Sequence, residues 1–109
     1  MSILSWTEFS EQLIDDIESI FSMFDLLIQD DEVLRELDLE IRVHEDYNHA
    51  MYELLSTDSI INNTHEHFKY KVNQVCETLF NHKILDREDW TIDNTMYDTL
   101  KDALIRLEY

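Results

Sequence analysis

The 109-residue chain contains neither glycine nor proline. At average usages of about 7% and 5%, a domain of this length would hold roughly seven and five of them. Tight β-hairpin turns rely on Gly or Asn at positive φ, so a fold rich in hairpins would be hard to build from this sequence. Long helices joined by Asn and Asp turns avoid that difficulty. The two absences therefore favour an all-α fold.

Cysteine and long hydrophobic runs are also scarce. Cys76 is the only cysteine, so no intramolecular disulfide can form, and a reducing compartment is expected. The first residues carry no positive charge and soon reach Glu8, which argues against a signal peptide. No apolar run approaches the roughly 18 residues that a membrane-spanning helix needs. We therefore expect a cytoplasmic protein that does not interact with membranes.

Motifs for catalysis, cofactor binding and metal binding are missing from the sequence. Without glycine, neither a phosphate-binding loop nor a nucleophile elbow can be assigned. Cys76 falls on an apolar stripe, where a buried, inert thiol is expected. The pairs His65/His67 and His44/His49 are two and five residues apart, which does not match the spacing of zinc ligands on a helix. We predict no enzyme, no catalytic residue, no cofactor and no metal site.

Positive charge is low throughout, with 8 Lys and Arg against 25 Asp and Glu and a net charge of −17. Self-repulsion of this size costs stability, and it argues against direct binding to nucleic acid or anionic lipid. The imbalance is concentrated in residues 1–66, which hold 17 acids and two bases, whereas residues 67–109 hold eight acids and six bases. The expected partner is therefore a basic protein.

Apolar residues at steps of three and four predict amphipathic helices. Ser5 and Glu8 have capping-box spacing at the start of the first one. Asp30 or Asp31 is a candidate N-cap for the second. The third should end near Asn81 and His82, with Asn81 in the left-handed cap that glycine would normally supply. The predicted helices cover about 6–28, 31–55, a third from between 58 and 64 to about 81, a short turn at 86–90, and 95–108. These elements predict a single domain over 1–109, an antiparallel bundle of about four helices with short loops.

One alternative concerns residues 37–43, where apolar and charged residues alternate as in a half-buried strand. Residues 68–72 alternate with the opposite charge sign, so the two could pair as a small antiparallel ribbon in an α+β fold. Two strands alone are marginally stable, and a helical spacing continues from Leu39 through Leu54. The helix is therefore preferred over the ribbon.

Several ring-bearing residues are expected in the core or at its boundary. His65 lies on the apolar face of the third helix, as a hydrogen-bonded core histidine would. The tryptophans and tyrosines that could anchor a partner are also expected in the core or at its boundary, Trp6 most strongly. They are Trp6, Trp90, Tyr47, Tyr52, Tyr70, Tyr97 and Tyr109.

The acids between Glu8 and Glu32 carry the functional prediction. This stretch holds nine acids and no base, whereas a surface that only needs to be soluble mixes both signs. The most acidic part of the chain, residues 30–46, continues it. We predict a partner-binding surface formed by Asp15, Asp16, Glu18, Asp25, Asp30, Asp31, Glu32, Glu36, Asp38 and Glu40.

In size, acidity and helix content the chain resembles a broad class of small inhibitor proteins. The class includes bacterial immunity proteins against nuclease toxins, and phage anti-restriction or anti-CRISPR proteins that imitate DNA. The resemblance is one of properties and not of a motif. It implies a non-enzymatic inhibitor, such as an immunity protein or antitoxin, that neutralises a basic nuclease or other nucleic-acid-binding protein. The alternative is a helical adaptor or structural subunit whose acidity serves solubility.

Overall fold

A computed structural model of the chain describes residues 6–37, 46–86 and 95–108. These residues form five α-helices and no strand, so the predicted all-α bundle is confirmed. None of the helices in these three ranges is long and apolar enough to cross a membrane. The helices are α1 (Trp6–Ile28), α2 (Asp31–Glu36), α3 (Tyr47–Ser56), α4 (Asn63–Asn81) and α5 (Met96–Glu108).

Helix α1 is the element on which α2, α4 and α5 pack. Its predicted bounds, 6–28, are confirmed, while the proposed capping residue Ser5 lies outside the described residues. Its apolar face packs against α4 and α5, and α2 packs on it as well. The side chains buried on this face include Leu13, Ile17, Ile20, Phe24 and Leu27.

Phe24 lies at the centre of the hydrophobic core. Its fully buried ring is 6.2 Å from that of Phe68 on α4 and 5.7 Å from that of Tyr47 on α3. The ring of Tyr97 on α5 lies 5.6 Å away. A single side chain of α1 therefore contacts α3, α4 and α5, and burial of a side chain of this size contributes about 1.5–3 kcal/mol.

The predicted second helix over 31–55 is wrong as one continuous element. Helix α2 ends at Glu36, and α3 starts again after Asp46, whose backbone is not helical (φ −138°). The Asp46 carboxylate accepts a hydrogen bond of 3.0 Å from the backbone N–H of His49. A side chain that binds the backbone in this way starts a helix rather than continuing one, which a periodicity of apolar residues does not reveal. Residues 38–45 lie outside the described residues.

The alternative ribbon is also wrong at 68–72, because these residues lie within α4. Phe68 and Val72 are both buried and four residues apart, as on one face of a helix. The opposing segment, 38–43, lies outside the described residues.

The end of α4 corrects the predicted cap. The left-handed residue is Lys83 (φ 62°), two positions after Asn81, whereas His82 has φ −98°. The N–H of Lys83 donates to the carbonyl of Phe80 (3.0 Å), and the N–H of Ile84 donates to that of Leu79 (2.9 Å). This pair of hydrogen bonds is a Schellman motif, which requires positive φ at the position after the cap. In a chain without glycine, a lysine occupies that position.

Helix α5 follows the prediction of 95–108 closely. A reciprocal pair of hydrogen bonds joins its first turn to α3. The side-chain amide of Asn48 donates to the Asp98 carboxylate (2.8 Å), and the backbone N–H of Asp98 donates to the Asn48 side-chain oxygen (3.1 Å). This pair satisfies a backbone N–H that the helix itself cannot pair. The short helical turn predicted at 86–90 lies outside the described residues from 87 onward.

Candidate acidic interface on the first helix

Three acids follow one another along the exposed side of α1 at intervals of seven residues. Glu11, Glu18 and Asp25 are all exposed. A rise of 1.5 Å per residue places successive members about 10.5 Å apart. Seven residues bring a straight helix to within about 20° of the same direction. The three carboxylates, here called the acidic line, therefore share one side of the helix.

Two further heptad lines complete the exposed face. The line beside the acidic line consists of residues 8, 15, 22 and 29. Its first two members, Glu8 and Asp15, are exposed acids, and its last two, Ser22 and Gln29, are uncharged. The third line carries no charge: it consists of Gln12, Ser19 and Leu26. Negative charge thus covers one side of the exposed face and leaves the other neutral.

The acidic side of α1 is the side that borders α5. The acidic line adjoins Phe21, whose half-buried ring lies 5.2 Å from the ring of Tyr97. The neutral line adjoins Asp16, whose carboxylate lies 3.3 Å from the Lys71 ammonium of α4. A partner attracted by the acids would therefore meet α1 and α5 together.

Asp16, a predicted site residue, is engaged within the fold. Its side chain and that of Lys71 are each about a third exposed (32% and 30%), so solvent screens the ion pair. Such pairs contribute little to stability, about 0.2–1 kcal/mol. Lys71 nevertheless offsets the charge of Asp16, so this acid adds less negative charge to the surface than Asp15 and Glu18 do.

Asp30, another predicted site residue, is confirmed as the N-cap of α2. Its carboxylate accepts hydrogen bonds from the backbone N–H of Glu32 (2.9 Å) and from the side-chain amide of Asn62 (3.3 Å). Asn62 is itself the N-cap of α4. Asp30 thus connects the starts of two helices, a role that depends on a residue 32 positions away.

The remaining predicted acids divide between two helices and an undescribed segment. Asp31, Glu32 and Glu36 are exposed on α2, the first two in its first turn, where the helix dipole favours negative charge. Asp38 and Glu40 lie outside the described residues. Helix α2, which carries these exposed acids, packs against α1.

Glu8 and Glu11 belong to the acidic surface of α1 but are missing from the predicted set. Both are exposed, and Glu11 completes the heptad spacing with Glu18 and Asp25. That spacing can be read from the sequence and identifies Glu11, and the same spacing joins Glu8 to Asp15.

Most bases in the described ranges make contacts within the fold. The Lys69 ammonium donates to the Thr57 carbonyl, Arg106 donates to the Ile84 carbonyl (2.8 Å), and the Lys101 ammonium lies 5.4 Å from the Tyr97 ring centroid. With Lys71 on Asp16, four bases contribute to the packing of loops and helices.

His65 is a core histidine, as predicted. The side chain is fully buried, and its Nδ1 accepts a hydrogen bond from the backbone N–H of Ile61 (3.2 Å). Nε2 therefore carries the proton and donates to the Leu54 carbonyl (2.8 Å). Both ring nitrogens are used structurally.

Cys76 is buried as predicted, and burial raises the pKa of its thiol to about 12. A thiol that stays protonated at neutral pH is a poor nucleophile and a poor metal ligand. Within residues 6–37, 46–86 and 95–108, no group of three or more His, Cys, Asp or Glu side chains could hold a metal ion.

Two of the possible aromatic anchors are exposed, against the prediction. Trp6 is 60% exposed and Tyr70 is 67% exposed. The ring of Phe9 lies 4.3 Å from that of His82, the C-cap of α4, so α4 ends beside the first turn of α1 and leaves Trp6 beyond it. Tyr70 lies two positions from the buried Phe68 and Val72, so it points away from their face.

The other candidate anchors follow the prediction where the structure describes them. Tyr47, Tyr52 and Tyr97 are half-buried, at the boundary of the core. Trp90 and Tyr109 lie outside the described residues.

Comparison with known proteins yields no matching family model, no similar curated protein and no similar solved structure. The functional argument therefore depends on the residues of this chain and their arrangement.

Proposed function

We propose that this chain is a non-enzymatic inhibitor that binds and neutralises a basic protein acting on nucleic acid, such as a nuclease. The exposed carboxylates of α1 and α2 would form the binding surface, and the complex would form in the cytoplasm. The observation that carries the proposal is the one-sided charge of α1, where Glu11, Glu18 and Asp25 line the edge next to α5. No base occurs between Glu8 and Glu32 to offset them.

The acids along α1 form a row of negative charge, as the phosphates of a DNA strand do. Counting Glu8, Glu11, Asp15 and Glu18 together, successive acids are three or four residues apart, a rise of about 4.5 to 6 Å. Phosphates along one DNA strand rise about 3.4 Å per nucleotide. The acids are therefore spaced more widely than the phosphates, and the helix shares with a DNA strand a row of negative charge but not its repeat.

The same charge would accelerate the encounter with a basic partner. Complementary potentials steer association and raise its rate, by an amount that falls as salt screens the field. Affinity in such complexes comes from a few buried anchors rather than from charges at the rim.

The proposal covers two biological roles. A DNA mimic of the phage counter-defence kind would occupy the nucleic-acid groove of its target. An immunity protein or antitoxin would bind one particular toxin, over or beside the active site. Two measurements distinguish them: a DNA mimic should compete with duplex DNA for its target, whereas an immunity protein should rescue cells from one particular toxin.

The test starts with a pull-down by the tagged full chain at low salt, with mass spectrometry to identify the partner. The triple variant Glu11→Gln, Asp15→Asn, Glu18→Gln is then compared with the wild type in stopped-flow association. We expect association at least about tenfold slower and a flatter salt dependence. The control carries Gln12→Ala and Ser19→Ala on the neutral line and should associate like the wild type. Equal rates for the two variants would contradict the proposal.

The competing function is a helical adaptor or structural subunit whose acidity serves solubility. The exposed apolar side chains of Leu26 (61%) and Ile105 (51%) favour it, because an adaptor binds through apolar surface. It predicts a complex that survives half-molar salt, where the Debye length is only a few ångströms. It also predicts that Leu26→Ser or Ile105→Ser weakens the complex, while the acidic triple variant leaves it intact.

A further inference from the structure

Three aromatic rings meet where α1, α3 and α5 come together. The Tyr97 ring centroid lies 5.2 Å from that of Phe21 and 5.0 Å from that of Tyr47. All three side chains are half-buried. The group therefore combines attachment to the core with access from solvent, which is how aromatic anchors at interfaces are placed.

Two carboxylates lie beside these rings. Asp25, the last member of the acidic line, is one helical turn beyond Phe21 and is exposed. Asp98 is exposed next to Tyr97, and its carboxylate is held by the Asn48 amide at 2.8 Å. Burial raises the pKa of Tyr97, and Tyr47, Asp25 and Asp98 raise it further by their charge. The negative potential of the acidic line thus extends to the aromatic group.

The chain's own cation already lies against one of the rings. The ammonium of Lys101, one turn after Tyr97 on α5, is 5.4 Å from the Tyr97 ring centroid. Cation–π attraction acts within about 6 Å of a ring centroid. Lys101 is exposed, so its side chain can turn to solvent and leave the ring to another cation.

We propose that Phe21, Tyr47 and Tyr97, with the carboxylates of Asp25 and Asp98, bind an arginine side chain of the basic partner. The inference rests on the proposed function and names the point at which the partner is anchored. The partner's guanidinium displaces the Lys101 ammonium from the Tyr97 ring and pairs with a carboxylate. Arginine suits the site better than lysine because its planar group stacks on rings and forms two parallel hydrogen bonds to a carboxylate.

The test uses the full chain with an oligoarginine peptide and an oligolysine peptide of equal length, by titration calorimetry at low salt. Lys101→Met removes the ammonium that lies beside the Tyr97 ring, and it should tighten oligoarginine binding about threefold to tenfold. The matched control is Lys83→Met, which removes the same charge from an exposed turn residue and should change affinity less than about twofold. Equal tightening in both variants would mean that net charge alone is responsible, and would overturn the anchor.

A second pair of variants tests the ring itself. Tyr97→Leu should weaken oligoarginine binding about threefold to tenfold, while Tyr97→Phe, which keeps the ring, should bind like the wild type. Tyr70→Leu removes an exposed tyrosine from α4 and should also have no effect. Circular dichroism verifies that each variant is folded. Equal affinity of Tyr97→Leu and Tyr70→Leu, or of the two peptides for the wild type, would contradict the arginine anchor.

The outcomes separate this inference from the proposed function. If the triple variant of Glu11, Asp15 and Glu18 associates more slowly with the partner while Tyr97→Leu and Lys101→Met bind oligoarginine like the wild type, the anchor is overturned and the acidic interface stands. If Tyr97→Leu and Lys101→Met change oligoarginine affinity as expected while the triple variant associates like the wild type, the anchor stands and the acidic interface is overturned.

Discussion

A hydrogen bond of 2.8 Å joins the Nε2 of His65 on α4 to the carbonyl oxygen of Leu54 on α3. The Nδ1 of the same ring accepts from the backbone N–H of Ile61 in the loop between the two helices. One fully buried side chain thus satisfies a backbone group of α3 and another in the loop that follows it. Together they fix the loop between α3 and α4.

We expect His65→Ala to lower the free energy of unfolding by about 2–4 kcal/mol, because it leaves two backbone groups unpaired and opens a cavity. The control is His67→Ala, two residues along α4 and exposed, which should change stability by less than about 0.5 kcal/mol. Urea denaturation followed by circular dichroism measures both. Similar values for the two variants would show that the buried hydrogen bonds contribute little.

The thiol of Cys76 should make stability depend on pH in the alkaline range. Burial raises its pKa from 9.0 to about 12. The protonated thiol therefore makes its full contribution to the free energy of unfolding below about pH 9, and this contribution is lost as the pH rises towards 12. Above pH 9, the free energy of unfolding of the wild type should therefore fall relative to that of Cys76→Val, by about 1.4 kcal/mol per pH unit.

Urea melts of both proteins between pH 8 and 10.5 would check this, because titrations of other groups cancel in the difference when they are independent of Cys76. A thiol reagent gives a second readout. The native protein should not be labelled at pH 8, while the urea-unfolded chain should react fully. Rapid labelling of the native protein would contradict the burial.

Lys83→Gly should raise the free energy of unfolding by about 0.5–1 kcal/mol. Lys83 has φ 62°, where a side chain with a Cβ is strained and glycine is not. The comparison is His82→Gly at the preceding position, where φ is −98°; there glycine brings the entropy cost of a more flexible unfolded chain and also removes the ring that packs on Phe9. Thermal or urea melts of the two variants should shift in opposite directions.

Neutralising part of the acidic face should stabilise the fold. Glu11→Gln, Asp15→Asn and Glu18→Gln together remove like-charge pairs three and four residues apart, each destabilising by about 0.2–0.5 kcal/mol. We expect a gain of roughly 1 kcal/mol at low salt that shrinks as salt screens the repulsion. Urea melts at two salt concentrations measure it. A loss of stability would show that these acids support the fold, and would remove the argument that they are kept for binding.

The sequence predicted those parts of the fold that depend on local periodicity. α1, α4 and α5 follow from apolar residues at helical spacing, and their bounds were confirmed within a residue or two where the structure describes them. The break between α2 and α3 was not predicted. Asp46 acts through a single hydrogen bond to the backbone of His49, and an apolar stripe that continues past it conceals such a cap.

Parts of the candidate site were also visible in the sequence. The acids of α1 and their heptad spacing can be read from residue types alone, because a helix converts spacing directly into direction. Which acids are engaged within the fold could not be read in this way. Lys71 is 55 residues from Asp16, and Asn62 is 32 residues from Asp30.

The sequence by itself determined the helical class, the excess of negative charge and the side of α1 on which it lies, because these depend on composition and on a regular helical period. Only the tertiary structure decided which side of α1 faces α5, that Trp6 lies beyond the end of α4, and that Phe21, Tyr47 and Tyr97 meet beside Asp25. The physical reason is that these relations arise from packing between helices far apart in the chain, where total burial and shape select the arrangement.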